Sequence, residues 1–198
     1  MTVTTTLACV YRTGGDFSPE YVQRLVESMR RHSDGCRIVC LSDDPAVSRY
    51  CEHVPLVNDW AGWWSKLELF NLPGKTVYFD LDTVIKGDLT PLVEYPHQFT
   101  MLSDFYKPHR PASGVMAWEG DYRYLMDGFT MEKANEYRTP AKWGDQGWIS
   151  ERLDPDRWQD VIPGQIASYK ASSKAEIEAA AVVCFHGRPR PHEVDWKV

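Results

Sequence analysis

Two aspartates separated by one residue, Asp80 and Asp82, carry the first chemical signal in this 198-residue chain. They lie in the run Thr76-Val77-Tyr78-Phe79-Asp80-Leu81-Asp82-Thr83-Val84-Ile85. β-Branched and aromatic residues favour a pleated strand, and Gly74 and Gly87 punctuate it on either side. Alternation along a strand sends both carboxylates to one face and Leu81 to the other. Converging carboxylates repel one another, and a divalent cation held between them is the usual remedy.

The elements around this pair read as an α/β fold. Thr4 to Tyr11 forms a first strand. Ser18-Pro19-Glu20 opens a helix, with Ser as N-cap, Pro in the first turn and an acid beside it. Val22, Leu25, Val26 and Met29 follow at helical spacing, and Gly35 ends the segment. Arg37 to Leu41 is a second strand. Strand, helix, strand with short links predicts a right-handed crossover and a parallel sheet, in which ligands sit beyond the carboxyl ends of the strands. Asp59 to Phe70 reads as a short helix. Trp63, Leu67 and Phe70 share one of its faces, and Lys66 lies on another, where a lysine is solvated by default. Phe99 to Asp104 is a strand ending in an acid, Pro111-Ala112-Ser113-Gly114 a turn, and Val115 to Trp118 a short strand. Tyr122 to Phe129 and Met131 to Tyr137 are helix-like. Asp145 is placed as the N-cap of a helix running through Leu153. Ala181 to Phe185 is a last strand, running into His186-Gly187-Arg188-Pro189-Arg190-Pro191-His192.

Composition narrows the classes. With 43% hydrophobic and 13% aromatic residues, a chain of this length forms one domain with a real core. A net charge of −6 gives no basic footprint for a duplex. No run of apolar residues is long enough to span a membrane and no signal peptide is visible. Cys9, Cys40 and Cys184 lie in strand-like runs, and no C-x-x-C pair occurs, so the five cysteines read as reduced residues of a cytoplasmic protein and not as a zinc site.

The carboxylate pair has two rival readings. Asp80-Leu81-Asp82-Thr83-Val84 fits the D-x-D-x-T signature of haloacid-dehalogenase-type phosphohydrolases, where the first Asp is a nucleophile and the second a general acid with magnesium. That motif follows the first strand of its domain, whereas here several elements precede it. The downstream G-D-x-x-x-D is also missing, since Gly144-Asp145 is followed by Ile149 and Gly120-Asp121 by Leu125.

The other reading rests on several pieces in order. Trp63-Trp64-Ser65-Lys66-Leu67-Glu68-Leu69-Phe70, Tyr78-Phe79-Asp80-Leu81-Asp82, Ser113-Gly114-Val115-Met116, Gly144-Asp145-Gln146-Gly147-Trp148 and Cys184-Phe185-His186-Gly187 span most of the chain. In this combination the chain resembles GT-A fold glycosyltransferases, closest to family 8 and to compact bacterial and phage glycosyltransferases.

The resemblance implies a single GT-A (Rossmann-like) domain over residues 1–198, with a mostly parallel central sheet and helices on both faces. Residues 1–104 would form the nucleotide-binding half and 105–198 the acceptor half. Asp80, Asp82 and His186 would bind manganese, with magnesium as the alternative; two carboxylates and an imidazole suit a transition metal. Gly187 would let the backbone approach a diphosphate, and Arg188 or Arg190 would add charge. The family usually carries a Lys there, so which Arg serves stays open. Tyr11, Arg12 and Thr13 would lie at the nucleotide pocket. Lys66, Asp104, Ser113 and Gly114 would face the donor sugar or its phosphates, and Asp145 and Gln146 the reacting carbon and acceptor. The implied reaction is transfer from a uridine diphosphate sugar to a hydroxyl, with retention; inversion would need a base, for which Asp145 is the candidate. The implied acceptor is a glycan or small molecule, ranked above a hydroxymethylated base in phage DNA.

Overall fold

Two parallel strands, β1 (Thr6–Tyr11) and β2 (Arg37–Ser42), begin the molecule, with Cys9 opposite Cys40. The computed structural model describes residues 4–194 and 196. Helix α1 (Pro19–His32) joins the two strands and buries Val22, Leu25, Val26 and Met29, the stripe its spacing predicts. Arg30, Arg31 and His32 fill its last turn, where positive charge suits the helix dipole. Ser18 is the N-cap, but its hydroxyl is spent on Glu20 and not on a backbone N–H.

The remaining strands are β3 (Glu52–Pro55), β4 (Lys75–Phe79), β5 (Thr83–Ile85), β6 (Phe99–Ser103), β7 (Pro111–Glu119), β8 (Asp156–Arg157), β9 (Ile166–Ser168) and β10 (Val182–Cys184). Seven of them form the central sheet in the order β3-β2-β1-β4-β7-β6-β8. Only β7 runs antiparallel to its neighbours, so the sheet is mostly parallel. A small second sheet has the order β5-β10-β9. The helices after α1 are α2 (Thr90–Glu94), α3 (Met131–Tyr137), α4 (Asp145–Ser150), α5 (Trp158–Val161) and α6 (Lys174–Ala179). Among the described residues, no helix is long and apolar enough to cross a membrane.

Period-two alternation divides the core between the two faces of the sheet. Leu7, Cys9, Val77, Phe79, Val115 and Ala117 pack with α1 and Trp158 on one face. Ala8, Tyr78, Met116 and Trp118 pack with Trp64, Leu67, Phe70 and Trp148 on the other. All five cysteines are free thiols, and four are buried.

Four local expectations are corrected. The Thr76–Ile85 run is two strands in two sheets. Asp80 takes the last rung, its N–H donating to the Gly114 carbonyl at 2.8 Å, and its own carbonyl then accepts from Thr83 N–H at 3.0 Å, closing a turn. The aspartates are turn residues that end the ladder. Residues 111–114 are no turn but the start of the nine-residue β7. Pro111 is the first residue of that strand, where its missing N–H is tolerated, and a register shift between Met101 and Leu102 accommodates the pairing. The N-cap of α4 is Gly144, at φ +78°, and Asp145 is the first helical residue with its side chain turned elsewhere. Gly62–Asn71 is a 3-10 helix, in which residues three apart stack in rows. Trp64, Leu67 and Phe70 therefore share the core row, while Trp63 and Lys66 share another.

Candidate active site

Parallel strands β1 and β4 end on the same side of the sheet, and the candidate site lies there. Asp80 and Asp82 come from the turn after β4, Lys66 from the 3-10 helix, Ser113 and Gly114 from β7, and Asp145 and Gln146 from the start of α4. The segment after β10 brings His186, Gly187 and Arg190.

Lys66 is the hub. Its Nζ stands 2.9 Å from Asp80 Oδ1, 3.3 Å from Asp145 Oδ2 and 3.2 Å from Ser113 Oγ, to which it donates. Ser113 in turn donates to Asp145 Oδ2 at 2.6 Å, and Ser113 N–H donates to Gln146 Oε1 at 3.3 Å. Tyr78 donates its phenol O–H to Asp80. Burial alone would lower the Lys66 pKa, but Asp145 and Asp80 outweigh it and hold the ammonium above its ordinary value. Burial lifts the Asp80 carboxyl, Lys66 opposes that lift, and the neighbouring Asp82 charge adds to it. A third of the Asp80 side chain is exposed, so solvent softens these effects. Lys66, which the resemblance places at the site and which a lone lysine's default would leave solvated, is thus a buried cation shared by two carboxylates.

Asp82 is engaged by donors of the last segment. Arg190 pairs with its carboxylate, and Gly187 N–H donates to Oδ2 at 3.3 Å. Arg190 also reaches Asp16 at 3.4 Å and lies over the Phe17 ring at 4.5 Å, while its Nε is buried with no partner among the described residues. Gly187 has φ +98°, which a side chain would strain. Lys170 Nζ anchors the segment by donating to the carbonyls of His186 and Arg188, at 2.7 and 3.2 Å. Arg188 points away, paired with Glu193 at an exposed position.

His186 has φ +31° and stacks on Phe105, with ring centroids 5.3 Å apart. Its Nε2 lies 2.6 Å from Ser168 Oγ, which already accepts N–H groups from Lys170 and Ala171. With both lone pairs taken, the Ser168 hydroxyl proton is directed at Nε2, so the neutral ring carries its proton on Nδ1. Burial, then the Lys170 charge, lowers the His186 pKa and favours that neutral ring.

The donor types at Asp80, Asp82 and His186 suit a divalent transition metal, but their placement does not fit one. Among the described residues, no three His, Cys, Asp or Glu side chains are gathered as a metal-binding group. The reason is visible in the contacts: Arg190 holds Asp82, Lys66 and Tyr78 hold Asp80, and Ser168 occupies the Nε2 lone pair of His186.

Two cavities meet at this cluster. The smaller, about 440 Å³, extends beside the end of β1 and is lined by Arg12, Asp16, Phe17, Gly187 and Arg190 among others. The larger, about 630 Å³, extends over β7 and α4 and is lined by Asp104, Ser113, Gly114, Asp145, Gln146 and an aromatic wall. Trp63, Lys66, Asp80, Asp82 and His186 border both. A Cβ on Gly114 would approach Asp80 Oδ2 to 3.4 Å, so glycine there keeps the floor open.

Some expected residues lie elsewhere. Tyr11 is buried in the core, and Thr13 bonds to Asp43 through both its N–H and its hydroxyl, so neither borders a cavity. Arg12 borders the smaller cavity while tied to Asn58 O and Asp59. Asp104 caps the following turn, accepting from Tyr106 and Lys107 N–H at 2.8 Å each. The sequence reading missed Phe17, Phe105, Tyr106, Arg138 and Trp143. Only the density of aromatic residues hinted at them.

No family model matches the sequence, and no curated protein matches it by sequence. Solved structures do match the fold. Glycosyltransferase GlyE of Streptococcus pneumoniae TIGR4 superposes with a TM-score of 0.67 at 11% identity, covering 96% of this chain and 56% of that one. Galactosyltransferase LgtC, in complex with donor and acceptor sugar analogs, gives a TM-score of 0.62 at 11% identity over 94% of this chain and 88% of its own. An active-site mutant of LgtC gives 0.67 over 98% and 91%. The chain has the GT-A-like fold of these glycosyltransferases, and spans little more than half the length of GlyE.

Proposed function

We propose that this chain is an enzyme that transfers a sugar from a nucleoside diphosphate donor to a hydroxyl-bearing acceptor. The observation that carries this reading is the pair of cavities meeting at Lys66, Asp80, Asp82 and His186. A two-substrate transfer needs such a junction: donor on one side, acceptor on the other, the reacting carbon between. The smaller cavity takes the nucleotide. Arg190 and Gly187 line that cavity, and the Arg190 guanidinium opposes the charge that develops as the bond from the diphosphate to the sugar breaks. The sugar sits over Lys66 and Gly114. In the larger cavity the acceptor oxygen bonds to the anomeric carbon on the face from which the diphosphate departs, the carbon–phosphate oxygen bond breaking and the acceptor proton passing to that diphosphate, so configuration is retained. Asp145 keeps its Oδ2 on Lys66 and Ser113, a role that fixes charge and does not shuttle a proton.

A uridine diphosphate hexose is the donor we assign, by likeness to the neighbours, one of which is a galactosyltransferase. No step is routed through a metal, because Lys66, Tyr78, Arg190 and Ser168 already engage the side chains that would hold it. The phosphohydrolase alternative finds no support in the contacts. Asp82 receives hydrogen bonds from Arg190 and Gly187, whereas a general acid has to donate one.

The test is a thermal-shift and product-release panel of nucleotide sugars, each with manganese, magnesium or EDTA, and with p-nitrophenyl phosphate alongside. Stabilisation by one nucleotide sugar and slow release of its nucleoside diphosphate is the expected result. A requirement for manganese would mean that Arg190 yields Asp82 to the ion. Ester hydrolysis without any response to nucleotide sugars would overturn the transfer reading.

A further inference from the structure

We infer that the acceptor is a carbohydrate carrying a negative charge, its ring stacked on Trp63 and Tyr106 and its anionic group directed to Arg138; this rests on the transfer reading above. Trp63 is 53% exposed and Tyr106 64% exposed, and both line the larger cavity. Large aromatic rings left open at a cavity wall have apolar faces to offer to the C–H face of a sugar ring. Their exposure contrasts with Trp64, Trp118, Trp148 and Trp158, which are all fully buried in the core.

Charge selects among sugars. Arg138 is exposed and lines the same cavity, its guanidinium over the Trp63 ring at 5.9 Å from the centroid, and among the described residues no carboxylate pairs with it. The acids of that cavity are already spoken for. Asp104 caps a turn, Asp80 and Asp145 belong to Lys66, and Asp82 belongs to Arg190. The donor diphosphate is met in the other cavity by Arg190, so it leaves the Arg138 charge unused. A cation without a counter-charge, in a chain of net charge −6, marks where a phosphate or carboxylate of the acceptor docks. A concave site of about 630 Å³ suits one or two sugar rings and not the side of a duplex.

The experiment measures binding of matched pairs by calorimetry: glucose against glucose 6-phosphate and glucuronate, galactose against galacturonate, with a short hydroxymethylcytosine duplex as a further arm. The anionic member of at least one pair should bind about tenfold tighter or more, the factor that a charge-assisted hydrogen bond supplies. Arg138→Ala should erase that preference and Arg138→Lys restore part of it. Trp63→Ala should weaken both members of a pair alike. Equal binding within every pair, a preference that survives Arg138→Ala, or tighter binding of the duplex than of any sugar would overturn the inference. The nucleotide-sugar thermal shift of the unmodified protein separates the two levels. A shift without anionic preference sinks only this inference, whereas no shift with any nucleotide sugar sinks the transfer reading and this inference together.

Discussion

Arg190 and Asp82, 108 residues apart in the chain, form an almost closed ion pair whose side chains are only 13% and 8% exposed. A buried pair of this kind costs desolvation and stabilises little by itself. Its value lies in holding a guanidinium on the wall of the smaller cavity.

Arg190 and Arg188 should therefore behave differently. Arg190→Ala is expected to weaken nucleoside diphosphate binding at least about tenfold, consistent with losing a charge-assisted bond. Arg188→Ala, at an exposed pair with Glu193, should change it less than about twofold. Isothermal titration with uridine diphosphate separates the two, and equal effects would remove Arg190 from its special place.

Lys66→Met leaves Asp80 and Asp145 without their shared cation. Removing one partner of a buried ion pair costs about 3–5 kcal/mol, readable as a fall in urea midpoint. Adding Asp145→Asn should recover part of that loss, because one uncompensated charge disappears. Turnover should fall more than about a hundredfold in either variant. Unchanged stability in Lys66→Met would contradict the buried network.

The tryptophans offer a packing test. Trp148 Nε1 donates to Leu125 C=O at 2.7 Å, whereas Trp64 Nε1 is buried without a partner. Replacing either by Phe opens a similar void. Only Trp148→Phe also strands a carbonyl, adding about 1–3 kcal/mol. Denaturant unfolding should rank Trp148→Phe clearly below Trp64→Phe.

His97 sets an acid limit on stability. Its Nε2–H donates to Leu92 C=O at 2.8 Å and its Nδ1 accepts from Thr100 at 2.8 Å, an arrangement that satisfies the neutral ring. Burial drives its pKa from 6.5 to about 4. Above pH 6.5 both folded and unfolded chains hold it neutral, and its contribution is complete. Below that value the unfolded chain takes up the proton first. Stability then falls by up to about 1.4 kcal/mol per pH unit until about pH 4, where the folded form protonates too. His97→Gln should flatten this part of the stability profile, and an identical slope in both proteins would contradict the assignment.

Much of the frame was legible because it follows local rules. The apolar spacing of α1 and the strand-forming runs of β1, β2 and β6 produced the elements their sequences suggest. The order of the motifs pointed to the fold. What could not be read depended on geometry beyond local period. An assumed α-helical period put Lys66 off the apolar stripe but grouped Trp63 with Leu67 and Phe70; the 3-10 repeat aligns Lys66 with Trp63, and both border the cavities. Ser113 and Gly114 looked like a turn because their residue types favour one, yet pairing with β4 and β6 holds β7 extended. The small sheet was invisible because β5 finds its partner β10 only near the far end of the chain. Trp63 and Tyr106 were hidden by the rule that aromatic residues pack inside.

The pairing of β5 with β10 also sets a schedule. A ribosome adds roughly 5–20 residues per second. Asp82 therefore emerges roughly 5–20 s before Arg190, the residue that will neutralise it. For most of that interval β5 has no strand to pair with, since β10 comes only at Val182–Cys184, and the smaller cavity lacks the Arg190 guanidinium. A nascent chain can complete the first helix and its two flanking strands well before Arg190, the guanidinium proposed to meet the diphosphate, has been made.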